Sequence, residues 1–199
     1  SKYIKLIGSM GNFPAFELSD LEIFIDSNKI DITACYYLNS ELRCKFPNSG
    51  LIVVKVIIKK TLTSLSSLFS NSEQLISVNF SETFDTSYVL NLEWMFMNCY
   101  SLKNANLSSF NTTLVSKLIY MFNNCHKLTS IDLSNFDTRN VLSFQDMFIN
   151  NYNLRWVDIS NFNTSNSYIP ASADYLFKGV GGIGTIIINK KSYNKDIPS

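Results

Sequence analysis

The sequence predicts a β-rich N-terminal segment followed by an α/β solenoid, a stack of strand–turn–helix units with parallel strands along one side. Three observations predict it. Short alternating apolar runs fill residues 1–60. Beyond them, Met95-Phe96, Met121-Phe122 and Met147-Phe148 recur at a spacing of 26 residues. Between these recurrences the apolar spacing switches from the period of a strand to that of a helix.

In the first segment, β-rich runs fall at 3–7, 21–25, 30–37, 42–46 and 51–58. Gly8, Gly11-Asn12, 26–28, Asn39-Ser40 and 48–50 separate them with turn-forming residues. Several short strands at this spacing predict a small β-sandwich.

The repeat follows. Six residues after each Phe of the Met-Phe pairs stands Leu102, Leu128 or Leu154. Each opens an alternating apolar run: Leu102/Ala105/Leu107, Leu128/Ile131/Leu133 and Leu154/Val157/Ile159. Leu75/Val78/Phe80 forms a copy upstream, and Ile183/Ile186/Ile188 one downstream, after an insertion at 168–173. Alternation with one buried face predicts a strand. Next come Phe84-Asp85-Thr86, Phe110-Asn111-Thr112, Phe136-Asp137-Thr138 and Phe162-Asn163-Thr164, residues suited to turns and helix N-caps. Val89, Leu92, Met95, Phe96 and Cys99 then fall at offsets 0, 3, 6, 7 and 10, the apolar stripe of a helix.

No unit buries both its strand face and its helix stripe alone, whereas a stack does. Strands pair about 4.8 Å apart and packed helices need roughly 8–10 Å, so the expected stack curves with its strands inside. The expectation is a concave sheet of about five parallel strands. The domain division is 1–60 for the β domain, 61–190 for the solenoid and 191–199 for a tail or link to a further domain.

Composition narrows the function. The chain of 199 residues is 46% hydrophobic and 14% aromatic, enough for a substantial core. Its net charge of +1, without runs of like charge, gives no reason to expect nucleic-acid binding. No apolar stretch approaches the roughly 18 residues of a membrane span, so membrane insertion by this segment is not expected. The sequence opens without Met or a leader, and we expect a portion of a longer protein, with targeting or anchoring segments elsewhere.

The string LTSIDLSNFDTRNVLSFQDMF, 128–148, with the N-C-x-x-L motif around it, resembles the BspA-like leucine-rich repeats over roughly 62–190. Ser72, Asn151 and Val180 depart from the pattern at its cysteine position. The resemblance implies a cell-surface protein used in adhesion, matrix binding or surface assembly. In the first segment, G-x-x-G-N-F from Gly8, then Cys35, L-R-C-x-F-P from Leu42 and V-V-K-V from Val53 resemble IPT/TIG immunoglobulin-like domains. The fold class expected is therefore an Ig-like β-sandwich followed by an α/β leucine-rich-repeat solenoid. Those Ig-like domains also place two cysteines around a short hairpin. We expect Cys35 and Cys44 to be bridged, since a small domain benefits from a staple; the alternative is two reduced cysteines in a β-rich core.

Cys99 and Cys125 share one column and are expected to be buried thiols, because helices would hold them beyond the roughly 7 Å limit for a bridge. His126 follows Cys125 and is the only histidine. Neighbours in sequence rarely face each other, and no nucleophile elbow or phosphate loop accompanies them, so no catalytic residue is nominated and no enzyme is expected. The glycine-rich stretch 179–184 precedes a strand and is expected to be the turn into it. No cofactor and no metal site is expected.

Between the buried columns of the strands lie Asn79, Asn106, Asp132 and Asp158, with Ser77, Asn104, Ser130 and Trp156 beside them. Asn104, Asn106, Asp132, Trp156 and Asp158 form the candidate ligand site, with a solvated polar face as the alternative. An aromatic facing out of a polar sheet calls for a partner or a covering loop. Sequons stand at Asn79, Asn106, Asn111 and Asn163, of which Asn111 and Asn163 lie in the exposed turn and are the candidate glycosylation sites. A glycan on Asn79 or Asn106 would block the strand face. The expected function is an extracellular, non-catalytic interaction module that binds protein or glycan through the concave face. The alternative is a structural subunit or spacer of a surface filament or sheath, with copies of the chain as partners.

Overall fold

In the computed structural model the described residues are 2–7, 21–25, 28–29, 35–38, 41–46, 53–167, 176–181 and 185–188. Among the described residues six strands precede the repeats: β1 (Lys2–Ile7), β2 (Leu21–Ile25), β3 (Asn28–Lys29), β4 (Cys35–Leu38), β5 (Glu41–Phe46) and β6 (Val54–Ile58). They form two separate antiparallel sheets, ordered β1-β5-β4 and β3-β2-β6. Alternation along β5 does what it predicts, with Leu42 and Cys44 buried and Lys45 exposed. Cys44 lies directly opposite Cys35 in the β4–β5 register, and the two are joined by a disulfide.

Five short parallel strands follow: β7 (Ser77–Asn79), β8 (Asn104–Asn106), β9 (Ser130–Asp132), β10 (Trp156–Ile159) and β11 (Thr185–Ile188). Residues pair one repeat apart, as Val78 with Ala105 and Val157 with Ile131. The units therefore stack in register.

The expected fold class is corrected on three counts. First, the segments read as helices are not helical. The N–H groups of Met95, Met97 and Cys99 bond carbonyls three residues back, while those of Leu92, Trp94, Phe96 and Asn98 reach Lys117, Ile119, Met121 and Asn123 of the next unit. A helix would direct each N–H to the carbonyl four residues back in its own unit. The backbone is also left-handed at Trp94 (φ 57°) and Asn98 (φ 61°), which no right-handed helix accommodates. The pattern recurs at Ser67 and Asn71, Tyr120 and Asn124, and Asp146 and Asn150. Among the described residues only Leu176 has helical backbone.

Second, the five strands make no continuous concave sheet. They divide into β7-β8 and β9-β10-β11, three or four residues each. The curvature argument fails with the helices. Outer rings of successive units stack at strand-like spacing: Phe69–Phe96 at 5.6 Å, Phe96–Phe122 at 5.2 Å, Phe122–Phe148 at 5.6 Å and Phe148–Phe177 at 5.4 Å between centroids. Both sides of the unit are held by inter-unit backbone bonds, so the mismatch between strand and helix spacing does not arise. Third, the N-terminal strands are six in two sheets of three, not the seven-strand sandwich of an Ig domain, among the described residues. An Ig-like sandwich followed by an α/β leucine-rich-repeat solenoid is not what this chain forms.

The apolar columns nonetheless fill the core. Val89, Leu92, Met95, Phe96, Cys99 and Leu102 are all buried, as are Val115, Leu118, Met121, Phe122, Cys125 and Leu128. Burial of each large side chain contributes roughly 1.5–3 kcal/mol. Offset ring stacking adds about 0.5–1.5 kcal/mol per pair.

Polar columns then fix the register. Thr112 is buried; its Oγ1 donates to the Asp137 carbonyl (3.1 Å) and accepts from the Asp137 N–H (2.8 Å). Thr86 bridges to Asn111 and Thr138 to Asn163 in the same way. The residue before each Thr makes a turn instead of capping a helix: Asp85, Asn111, Asp137 and Asn163 each accept the N–H two residues on. Asn71, Asn98, Asn124 and Asn150 form a side-chain ladder, each Nδ2 donating to the preceding Oδ1 at 2.7, 2.6 and 2.9 Å. All four have positive φ, a conformation asparagine tolerates, and Gly179 (φ 72°) continues the column. A Cβ at Gly179 would lie 2.8 Å from Asn150 Oδ1, so the ladder ends on a residue without a side chain.

The cysteine column has its own bond. Cys99 Sγ donates to the Phe69 carbonyl and Cys125 Sγ to that of Phe96. Asn151 stands in the same column, and its Nδ2 donates to Phe122. This departure from cysteine keeps the donor.

Candidate functional site

The strand face carries the residues singled out from sequence, and it divides them. Asn79 pairs with Asn106 in the β7–β8 register, and Asn106 Nδ2 donates to Asn79 Oδ1 (2.9 Å). Asp132 lies opposite Asp158 across β9–β10. Asn106, Asp132 and Asp158 each accept the backbone N–H two residues on, at Ser108, Ser134 and Ser160. These side chains turn the chain out of its strands; the ladder bond and the turns occupy them. Trp156 is half-buried in β10, flanked by Ser130 and Thr185. Asn104 is exposed and borders an open groove with Lys103, Lys127, Thr129 and Asn153.

The residues just before Lys127 and Asn153 of that groove belong to a feature the sequence reading missed. Tyr100, His126 and Tyr152 follow the cysteine position in three successive units. Their rings form a row, with centroids 5.0 Å apart for Tyr100–His126 and 5.2 Å for His126–Tyr152. Tyr100 and Tyr152 are exposed and His126 is partly exposed. The signal was present as an aromatic or imidazole ring at one offset, but it stands beside a buried column and carries no motif. Asn153 Nδ2 donates to the His126 carbonyl (2.6 Å), tying the row to the groove wall. Arg155 donates to the carbonyls of Gly181 and Tyr152.

His126 therefore lies between the two tyrosines with its ring tilted to both, while the Cys125 thiol points to a carbonyl in the core. Burial, with Cys99 adding to it, pushes the Cys125 thiol well above its ordinary value. Cys99 and Cys125 are buried free thiols. The helix spacing from which that was expected is absent; the donor bonds account for the thiols' orientation instead.

Among the described residues no cluster of three His, Cys, Asp or Glu could hold a metal, and no helix is long and apolar enough to cross a membrane. Of the two candidate glycosylation sites, Asn111 is exposed and Asn163 partly exposed, each with its Oδ1 in the turn. The Asn106 amide is committed to Asn79. The insertion at 168–173, Gly182, Ile183, Gly184 and the tail 191–199 lie outside the described residues.

Fold and face together define a repeat protein whose units, helix-free over 62–167, are joined by inter-unit hydrogen bonds. The chain belongs to the family described as Mycoplasma protein of unknown function, DUF285, which matches residues 63–197. No curated protein and no solved structure matches it. The Cys35–Cys44 disulfide is compatible with an extracellular protein.

Proposed function

We propose that this chain is a non-catalytic cell-surface recognition module that binds protein or glycan through the edge carrying Tyr100, His126 and Tyr152. The observation that supports it is a contrast. The asparagine, threonine and cysteine columns commit their polar groups to the neighbouring unit. The edge residues instead leave rings exposed beside an open polar groove. Exposed aromatic rings next to hydrogen-bonding groups are the composition of recognition surfaces. Surface placement is supported by the disulfide and by the resemblance to BspA-like repeats.

The structural reading, a subunit or spacer of a surface assembly, draws on one observation. Among the described residues β11 is the outermost strand of its sheet, and its Ile187 is exposed. Such an edge is a template for a further strand.

The test is saturable binding of the purified chain to host-cell or matrix fractions, compared with Tyr152→Ala. The recognition reading expects saturation that the variant weakens at unchanged fold. Ordered self-assembly without saturable binding, in both proteins, would support the structural reading and contradict this one.

A further inference from the structure

We infer that the edge recognises an acidic glycan, with carboxylate or sulfate groups on Lys103 and Lys127 and a pyranose face against Tyr152. This rests on the recognition reading and names its ligand class. The groove measures about 390 Å³ and is lined by Lys103, Asn104, Lys127, Thr129 and Asn153. Among the described residues no acidic one lines it. Lys103 and Lys127 are exposed and form no ion pair among the described residues, whereas Lys59 and Lys117 face Glu22 and Glu93. Two ammonium groups at one groove attract an anion over short range. With a whole-chain charge of only +1, the attraction belongs to the groove and not to the molecule's field.

The neutral lining selects the rest of the ligand. Asn104 and Thr129 offer amide and hydroxyl groups, and Asn153 keeps its Oδ1 after Nδ2 is used on His126. These groups suit a ligand rich in hydroxyls.

The ring row supplies the apolar platform. Tyr152 is its most exposed member, at 51%. The next residue of the column is Gly181, where a Cβ would fall 2.4 Å from the Tyr152 carbonyl oxygen. The backbone thus excludes a side chain at that position, and no further ring of the column covers the outer face of Tyr152. A flat, CH-bearing sugar face suits that ring, and the next residue along the chain, Asn153, lines the groove. An acidic peptide would use the lysines but leave the ring and the amides without matched partners.

The experiment titrates the full chain by calorimetry with three probes: a sulfated glycosaminoglycan tetrasaccharide, a neutral chitin tetrasaccharide and a poly-glutamate peptide. The sulfated probe is expected to bind at least about tenfold more tightly than either of the others. Lys103→Ala/Lys127→Ala should weaken it about tenfold, with recovery in the double Arg variant. Tyr152→Ala should weaken it roughly fivefold at an unchanged circular dichroism spectrum. Equal affinity for the neutral sugar, preference for poly-glutamate, or indifference to the lysine change overturns the inference. If all three probes fail while Tyr152→Ala still weakens binding to cell fractions, the ligand class alone is wrong. If neither binds, the recognition reading falls with it.

Discussion

Replacing Asn124 by alanine and, separately, by glycine separates the stacked-turn architecture from a helical one. Asn124 has φ 60° and sits mid-ladder, donating to Asn98 Oδ1 at 2.6 Å and accepting from Asn150 Nδ2 at 2.9 Å. Both variants lose these two partly buried bonds, at a cost of about 1–3 kcal/mol. Alanine adds the strain of a left-handed residue with a Cβ, about 1–2 kcal/mol, which glycine avoids. Glycine returns part of that advantage through backbone entropy, about 0.5–1 kcal/mol. Asn124→Gly should therefore be the more stable variant, by up to about 1.5 kcal/mol. A helix reverses the sign: alanine would exceed glycine by about 0.8–1 kcal/mol. Urea unfolding followed by tryptophan fluorescence reads the difference, since Trp94 and Trp156 both lie in the repeats. Asn124→Ala more stable than Asn124→Gly would refute the reasoning.

Other side-chain bonds lead to further outcomes. Thr112→Val preserves shape but leaves the Asp137 N–H and carbonyl without their buried partner; urea unfolding should show a loss of about 2–3 kcal/mol, against under about 0.5 for the exposed Thr113→Val. Alkylation followed by mass spectrometry should leave Cys99 and Cys125 unmodified in the folded chain, add two groups in denaturant and four after reduction of Cys35–Cys44; reduction should cost about 2.5–3 kcal/mol on the chain-entropy account, for a sequence separation of 9. Asp137 is held below the usual carboxylate value, chiefly by the Arg139 side chain. Its folded value lies below its unfolded one, so the stabilisation is present above about pH 4 and is lost as pH falls through the folded value. Arg139 is largely exposed, so Arg139→Ala should flatten the acid limb of a stability-versus-pH curve only slightly.

The period and the core were legible because apolar burial leaves its trace in composition. Met95, Phe96 and Cys99 read as interior from spacing alone, and they are interior. The helix was misread for a physical reason. Offsets 0, 3, 6, 7 and 10 describe which residues point inward, and three-residue turns give the same inward set as a helix. What separates the two is the sign of φ at Trp94 and Asn98. The asparagine at the second position, recurring at 98, 124 and 150, carried that signal, since it tolerates left-handed backbone. Trp94 and Tyr120 carried none, because bulky aromatics are poor left-handed residues and only the stack imposes that geometry.

At the candidate site, Asn104 reached the groove from its place on an outward strand position. Asp132 and Asp158 were visible as a column, but their use in turns depends on the N–H two residues on and not on the column. The ring row depends on contacts across units, between residues 26 apart whose chemistry differs, as Tyr100 and His126 do.

The direction of the Phe96 N–H separates stacked turns from a helix most directly. A through-hydrogen-bond scalar coupling measured by NMR identifies the acceptor directly. The stacked-turn architecture predicts coupling to the Met121 carbonyl in the next unit, at 2.9 Å. Coupling to the carbonyl of Leu92, four residues back in the same unit, would contradict it and restore the helix.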